Sequence, residues 1–218
     1  MSCESPVSDR HSLERSLIKE TVFNTTATLR HATPLPAGVD QAHAVKTMLQ
    51  DHKAYIDCAP HTVHYEKVKG DETAKLAATA LASQKEHPLP DNVRAVVEAY
   101  PNDVEGQTYA VYRVTDIIPT LPAGLWDSKV DSTYEMTDIP SGVYVRIRSP
   151  MSVVLDTTWT ISAVEGSDQL ELVEVVAIYC SRLLMGTVKG LCEGGWQKIH
   201  ANMIKQLTES NAAEPGKQ

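Results

Sequence analysis

The chain has 218 residues, 42% of them hydrophobic and 22% charged, which suits one large globular domain and excludes collagen-like, coiled-coil and disordered classes. Lys and Arg number 20 against 28 Asp and Glu, and the net charge of −8 lacks the electrostatic footprint of a phosphate-backbone binder, so no nucleic-acid partner is expected. Cys3, Cys58, Cys180 and Cys192 form no CxxC pair and read as reduced thiols.

In chain order, residues 1–17 and 209–218 are polar and aperiodic and read as loose tails around one domain at 18–208. Met1 to Arg15 shows no apolar signal-peptide region, so a cytoplasmic location is expected. Glu20 to His31 is rich in β-branched residues and reads as a strand ended by Pro34, Pro36 and Gly38. Asp40 is an N-cap candidate, and Ala42, Val45, Met48, Leu49 and His52 repeat at helical spacing behind it. Thr62 to Val68 predicts a short strand. The Ala-rich, charged stretch 69–92 reads as an inserted surface loop with one or two helical turns.

From Val93 the pattern predicts six antiparallel strands: Val93 to Tyr100, Gln107 to Ile118, Lys129 to Asp138, Val143 to Ser149, Val153 to Val164 and Gln169 to Cys180. Lys129, Asp131, Thr133, Glu135 and Thr137 alternate with Val130, Tyr134 and Met136, which predicts one wet and one covered face. The apolar run from Leu170 to Cys180 carries Glu171 and Glu174 and falls far short of the roughly 20 residues a spanning helix needs, so no stable membrane insertion is expected. Leu184, Val188, Leu191, Cys192, Trp196, Ile199, Met203, Ile204 and Leu207 keep helical spacing, which predicts one long helix over Ser181 to Leu207. Gly186, Gly190 and Gly194 recur on it every fourth residue, and the expectation is that Gly190 faces a cavity between helix and sheet, with backbone-close packing as the alternative. The element order is that of an α+β, START-like helix-grip fold: a curved antiparallel sheet wrapped on a long C-terminal helix.

Leu121-Pro122-Ala123-Gly124-Leu125-Trp126 and the string from Cys180 to Lys189 resemble the two most recognisable strings of a fungal family of START-like (SRPBCC, Bet v 1-like) domains of unknown function. Leu49 to Ile56 and Thr157-Thr158-Trp159 add weaker support, and the likeness covers Glu20 to about Leu207. Cys58-Ala59-Pro60, where Asn would precede the proline, and the 69–92 insertion depart from it. The resemblance implies a fungal, intracellular protein with a hydrophobic pocket and no cofactor.

Cys58, His61 and His64 have metal-ligand types, but three-residue spacing on a strand sends His61 and His64 to opposite faces, so no metal is expected. No GxGxxG, Walker A or GxSxG string occurs. Glu174 is the candidate catalytic residue: on a row with Leu170, Leu172, Val176 and Ile178 it would enter a cavity and gain a raised pKa suited to acid–base work. The alternation fits the solvent side as well, and that side is preferred. Tyr112, Ser132, Tyr134, Thr157, Trp159, Arg182, Met185, Gly186 and Gly190 are candidate ligand-binding residues. The expected partner is a hydrophobic small molecule, handled by an accessory or cofactor-free cyclase or isomerase of secondary metabolism. The alternative is a non-catalytic lipid or sterol carrier.

Overall fold

A computed structural model describes residues 24–119 and 127–213. The predicted Pro122-Ala123-Gly124 turn, the string around it and the N-terminal tail lie outside these residues. Among the described residues seven strands form one sheet in the order β1-β7-β6-β5-β4-β3-β2, every pair antiparallel. They are β1 (Asn24–Pro34), β2 (Thr62–Lys67), β3 (Tyr109–Pro119), β4 (Asp127–Ile139), β5 (Gly142–Ser149), β6 (Val153–Ala163) and β7 (Leu170–Ser181). The chain is therefore α+β, with a curved antiparallel sheet gripping a long terminal helix.

Between β1 and β2 lie α1 (Gln41–Ala44), which widens into a π-helical turn at Val45–Leu49, and α2 (His52–Asp57). Asp40 caps α1 by accepting from His43 N, and Asp51 caps α2 by accepting from Lys53 N and Ala54 N. These caps fix where each short helix starts, and so bring Met48, Leu49 and Ile56 against Met136, Trp159 and Leu172 of the sheet, with Met203 and Leu207 of the terminal helix. The β4–β5 hairpin turns at Pro140-Ser141, and at Gly142, which opens β5, a Cβ would lie 1.9 Å from the Trp159 carbonyl oxygen of β6, so only glycine lets these two backbones approach this closely.

The segment before β3 departs from expectation. Residues 71–82 form α3 (Asp71–Ala82), longer than the one or two turns expected, and Val93 to Tyr100 is no strand: it falls in α4 (Asp91–Ala99). Val93, Val96 and Val97 are buried at spacings of three and four, the helical period, and their β-branching misled the strand reading. Ala77 and Ala80 of α3 join them over Tyr109, Val111, Ile139 and Tyr144, which makes a second core on the outer face of the sheet. The predicted wet row is thus covered at Glu135 and Thr137. Beneath this layer Arg146 donates through Nε and Nη2 to the two carboxylate oxygens of Asp156, at 2.7 and 2.8 Å, and Arg148 pairs with Glu135.

The terminal helix α5 (Arg182–Ala213) runs past the predicted end at Leu207. Leu184, Val188, Cys192, Ile199 and Met203 share its inward face, while Gly186, Gly190 and Gly194 lie opposite, exposed. Among the described residues, a Cβ at any of these three glycines would meet nothing within 4 Å. The expectation that Gly190 opens a cavity is therefore corrected: the glycine row faces away from the sheet.

Candidate ligand cavity

Between α5, α2 and the inner face of the sheet lies a cavity of about 170 Å³. Tyr55 and Ile56 of α2, Pro60 and His61 of the following loop, and Leu191, Cys192, Gly195, Trp196 and Ile199 of α5 line it on one side. The sheet contributes Tyr134, Ile147, Leu155, Thr157, Trp159, Glu174 and Val176. The wall is apolar and aromatic with a few polar groups, the composition expected of a small-molecule site.

Strand register sets the polar groups in one row. His31 pairs with Glu174 across β1 and β7, and Glu174 pairs with Trp159 across β7 and β6, so the three side chains rise side by side from the same face. His31 Nδ1 lies 2.9 Å from Glu174 Oε2, and the His31 ring stacks on Trp196 with centroids 4.8 Å apart. His200 of α5 closes the cluster from above: its Nδ1 lies 2.7 Å from the Thr33 hydroxyl, and its Nε2 lies 3.9 Å from Glu174 Oε2. Trp159 makes an edge contact with Tyr55 at 5.6 Å and a tilted one with His200 at 5.2 Å.

Burial sets the proton affinities. It pushes the Glu174 carboxyl above the ordinary carboxylate range, although the bond to His31 pulls the other way. It pushes His200 down to about 4, helped by the nearby His31, so that His200 is neutral at neutral pH. Burial and then the Glu174 charge raise the Tyr55 phenol, which stays a proton donor. Two buried nitrogens in this cluster, Trp159 Nε1 and His200 Nε2, have no hydrogen-bond partner among the described residues.

A family model described as Domain of unknown function (DUF7053) matches residues 24–209. The chain belongs to this family. No curated protein matches it. Among solved structures, the DUF7053 chain is similar to that titled "Crystal structure of Ara h 8.0201", at 12% identity and TM-score 0.47 over 85% of this chain and 99% of that one. It is also similar to a conserved protein from Geobacillus kaustophilus, at 10% identity and TM-score 0.46 over 86% and 96% of the two chains. Likenesses at this level carry no ligand or activity across to the DUF7053 chain.

The predicted site residues divide. Glu174, Tyr134, Thr157 and Trp159 meet on the cavity wall, and Glu174 stands on the inner face, not the preferred solvent side. Tyr134 donates to Asp116 Oδ2 at 3.4 Å, and Thr157 to the Val145 carbonyl at 3.3 Å. Tyr112 is core packing, edge-on to His52 and Tyr65. Ser132 bonds Ser149 at 2.8 Å, away from the cavity lining. Arg182 and the two named glycines are exposed, and Met185 packs over Val153 and Ile178.

Sequence reasoning missed His31, Tyr55, Trp196 and His200. Two signals pointed to the histidines: His31 falls on the inward row Ala27, Leu29, His31 and Thr33, and His200 interrupts the apolar stripe of α5. A histidine on a buried row needs a partner, which here is Glu174 for one and Thr33 for the other. The Cys58 and Cys192 thiols are poor nucleophiles, since burial pushes Cys58 up to about 12 and Cys192 to about 11. His61 lines the cavity while His64 lies in a separate groove with Glu66, Arg113 and Asp131, and among the described residues no group of three His, Cys, Asp or Glu is placed to hold a metal ion. No described helix is long and apolar enough to cross a membrane.

Proposed function

We propose that this domain encloses a compact hydrophobic molecule in the inner cavity and isomerises or cyclises it by acid–base chemistry at Glu174, without a cofactor. The observation that carries the reading is the buried Glu174 carboxyl, set on the cavity wall and held by His31 at 2.9 Å. A carboxyl whose proton affinity is raised by burial exchanges protons nearer neutral pH than a solvated one does, which suits a general acid or base. The aromatic wall supplies the rest by holding one reactive conformer against it.

Cavity size favours this over a lipid or sterol carrier. A void of about 170 Å³ is smaller than the roughly 300–1,000 Å³ of pockets for drug-sized ligands, and close to the about 150 Å³ that holds benzene in an engineered protein. One or two fused rings fit it. The resemblance of the Leu121–Trp126 and Cys180–Lys189 strings to fungal domains supports a setting in fungal secondary metabolism, in the cytoplasm. Mass spectrometry of the organic molecules that co-purify with the protein, then incubation with each candidate precursor, tests the reading. A bound ring compound that differs from the precursor offered is expected. A stoichiometric long-chain lipid, returned unchanged, would replace the enzyme with a carrier.

A further inference from the structure

Glu174 is the only carboxylic acid among the described residues that line the cavity, and these include no Lys or Arg. Its side chain is about nine-tenths buried, with 9% of its surface accessible. Oε2 is tied to His31 Nδ1, whereas Oε1 has no hydrogen-bond partner among the described residues and is not one of the fully sealed, unpartnered atoms. The free oxygen therefore keeps contact with the void that the residue lines. After burial, the Glu174 charge is the next cause that raises the Tyr55 phenol and the Cys192 thiol, which line the void from α2 and α5. The field of the carboxylate thus reaches both helices, and no cationic side chain of the described lining offsets it.

The ligand group that answers this oxygen is an amine. To an ionised carboxylate an ammonium donates a charge-assisted hydrogen bond, and from a protonated carboxyl a free amine takes the proton, so both routes end in the same ion pair. A ketone or an ether suits only the protonated acid, and an anion is repelled by the ionised one. We propose that the cavity takes a compact cyclic amine, with its rings against the apolar and aromatic wall and its nitrogen on Glu174 Oε1. The inference rests on the cavity-binding reading above and names the substrate class for it. When the free base enters, the Glu174 O–H bond breaks, the nitrogen lone pair forms an N–H bond with that proton, and carboxylate then faces ammonium. Passage of the proton back to Oε1 restores both neutral groups, and no oxidant or reductant is involved. The bond from His31 Nδ1 occupies Oε2, which leaves Oε1 to the nitrogen. An ammonium among apolar groups is costly without a counter-charge, so Glu174 fixes where the nitrogen sits and thereby how the rings lie.

The test titrates three probes of one bicyclic frame at pH 7: 2-aminoindane, indane and indane-2-carboxylate. Folded wild-type protein should bind the amine at least about tenfold more tightly than indane, the ratio that one charge-assisted hydrogen bond gives. The carboxylate should bind more weakly than indane. This ranking reads the preference without any substitution. Glu174→Gln keeps the shape of the side chain and removes its charge, so the folded variant should bind amine and indane alike. Indane bound by wild-type protein as tightly as the amine, the carboxylate bound more tightly than the amine, or the amine preference retained in Glu174→Gln would overturn the inference and leave the cavity reading standing. Failure of all three probes to bind folded wild-type protein would overturn both.

Discussion

The two faces of the sheet bury their acids differently. On the outer face Asp156 and Glu135 sit against the guanidinium groups of Arg146 and Arg148, and the Arg146 head is also bonded to the His87 carbonyl and the Tyr144 hydroxyl. On the inner face Glu174 has a histidine for a partner and a cavity beside it. A guanidinium keeps its charge at any working pH, so an acid paired with it becomes part of the architecture. An imidazole can gain or lose its proton, and an acid between an imidazole and a void can exchange one with a ligand. The contrast separates a structural buried acid from a chemical one by its partner and its free volume, where burial alone does not.

The largest effect that bears on this contrast is expected at Arg146. Arg146→Met should leave Asp156 buried without its partner, at a cost of about 3–5 kcal/mol, while Arg146→Met with Asp156→Leu should regain most of that loss. Urea denaturation of the two variants and the parent measures both. A single-variant loss below about 1 kcal/mol would mean that the pair does not hold the outer layer.

The inner face should reveal itself through pH. His200 is pushed down from 6.5 to about 4 in the folded chain, so between these values the unfolded chain binds a proton that the folded chain declines. Its contribution to stability is full above about pH 6.5 and is lost as pH falls towards 4, by about 3 kcal/mol at 1.36 kcal/mol per pH unit. Glu174 has the opposite sign: its folded pKa is raised, so its contribution is best at acid pH and falls as pH rises. His200→Asn removes the first effect and keeps the second. The stability gap between parent and variant should therefore shrink as pH drops from 7 to 4, and parallel profiles would refute the assignment.

Much of this arrangement was legible beforehand, and the part that was not has a physical reason. β6 alternates apolar with polar residues, turn residues bound β5, β6 and β7, and the expected ends of all three strands fall within a residue of the observed ones. The stretch 93–100 reads as a strand because three valines at helical spacing also satisfy β-propensity, and only the layer they pack on decides between the two. Within the site, Glu174 was ambiguous for the same reason. Both rows of β7 are largely apolar, since the strand lies between β1 and β6 with α5 packed over its inner row, so alternation alone could not orient it. The His31 and His200 contacts join residues 143 and 167 positions distant from their partners, and no local pattern encodes such a meeting.

Glu174→Gln provides the direct comparison with Arg146→Met. Because burial disfavours the Glu174 charge, an uncharged isostere that can still bond His31 should change stability by no more than about 1 kcal/mol at pH 7. Thermal melts of the two single variants side by side check the contrast. Equal losses from both would erase the distinction between the two faces.

The smallest expected effect separates the cavity from the helix that covers it. Gly190 sits mid-helix on the exposed side of α5, and a Cβ there meets no atom of the described residues within 4 Å. Nothing in the packing calls for glycine, so its cost is the helix-propensity penalty alone, about 0.8–1.0 kcal/mol relative to Ala. Gly190→Ala should accordingly stabilise the protein by that amount and raise Tm by roughly 2–4 °C for a chain of this size. Binding of an apolar probe should be unchanged, because the residue lies outside the lining that Leu191, Cys192, Gly195 and Trp196 form on the neighbouring arc of the same helix. A variant that melts lower, or that loses the probe while staying folded, would return Gly190 to the cavity wall.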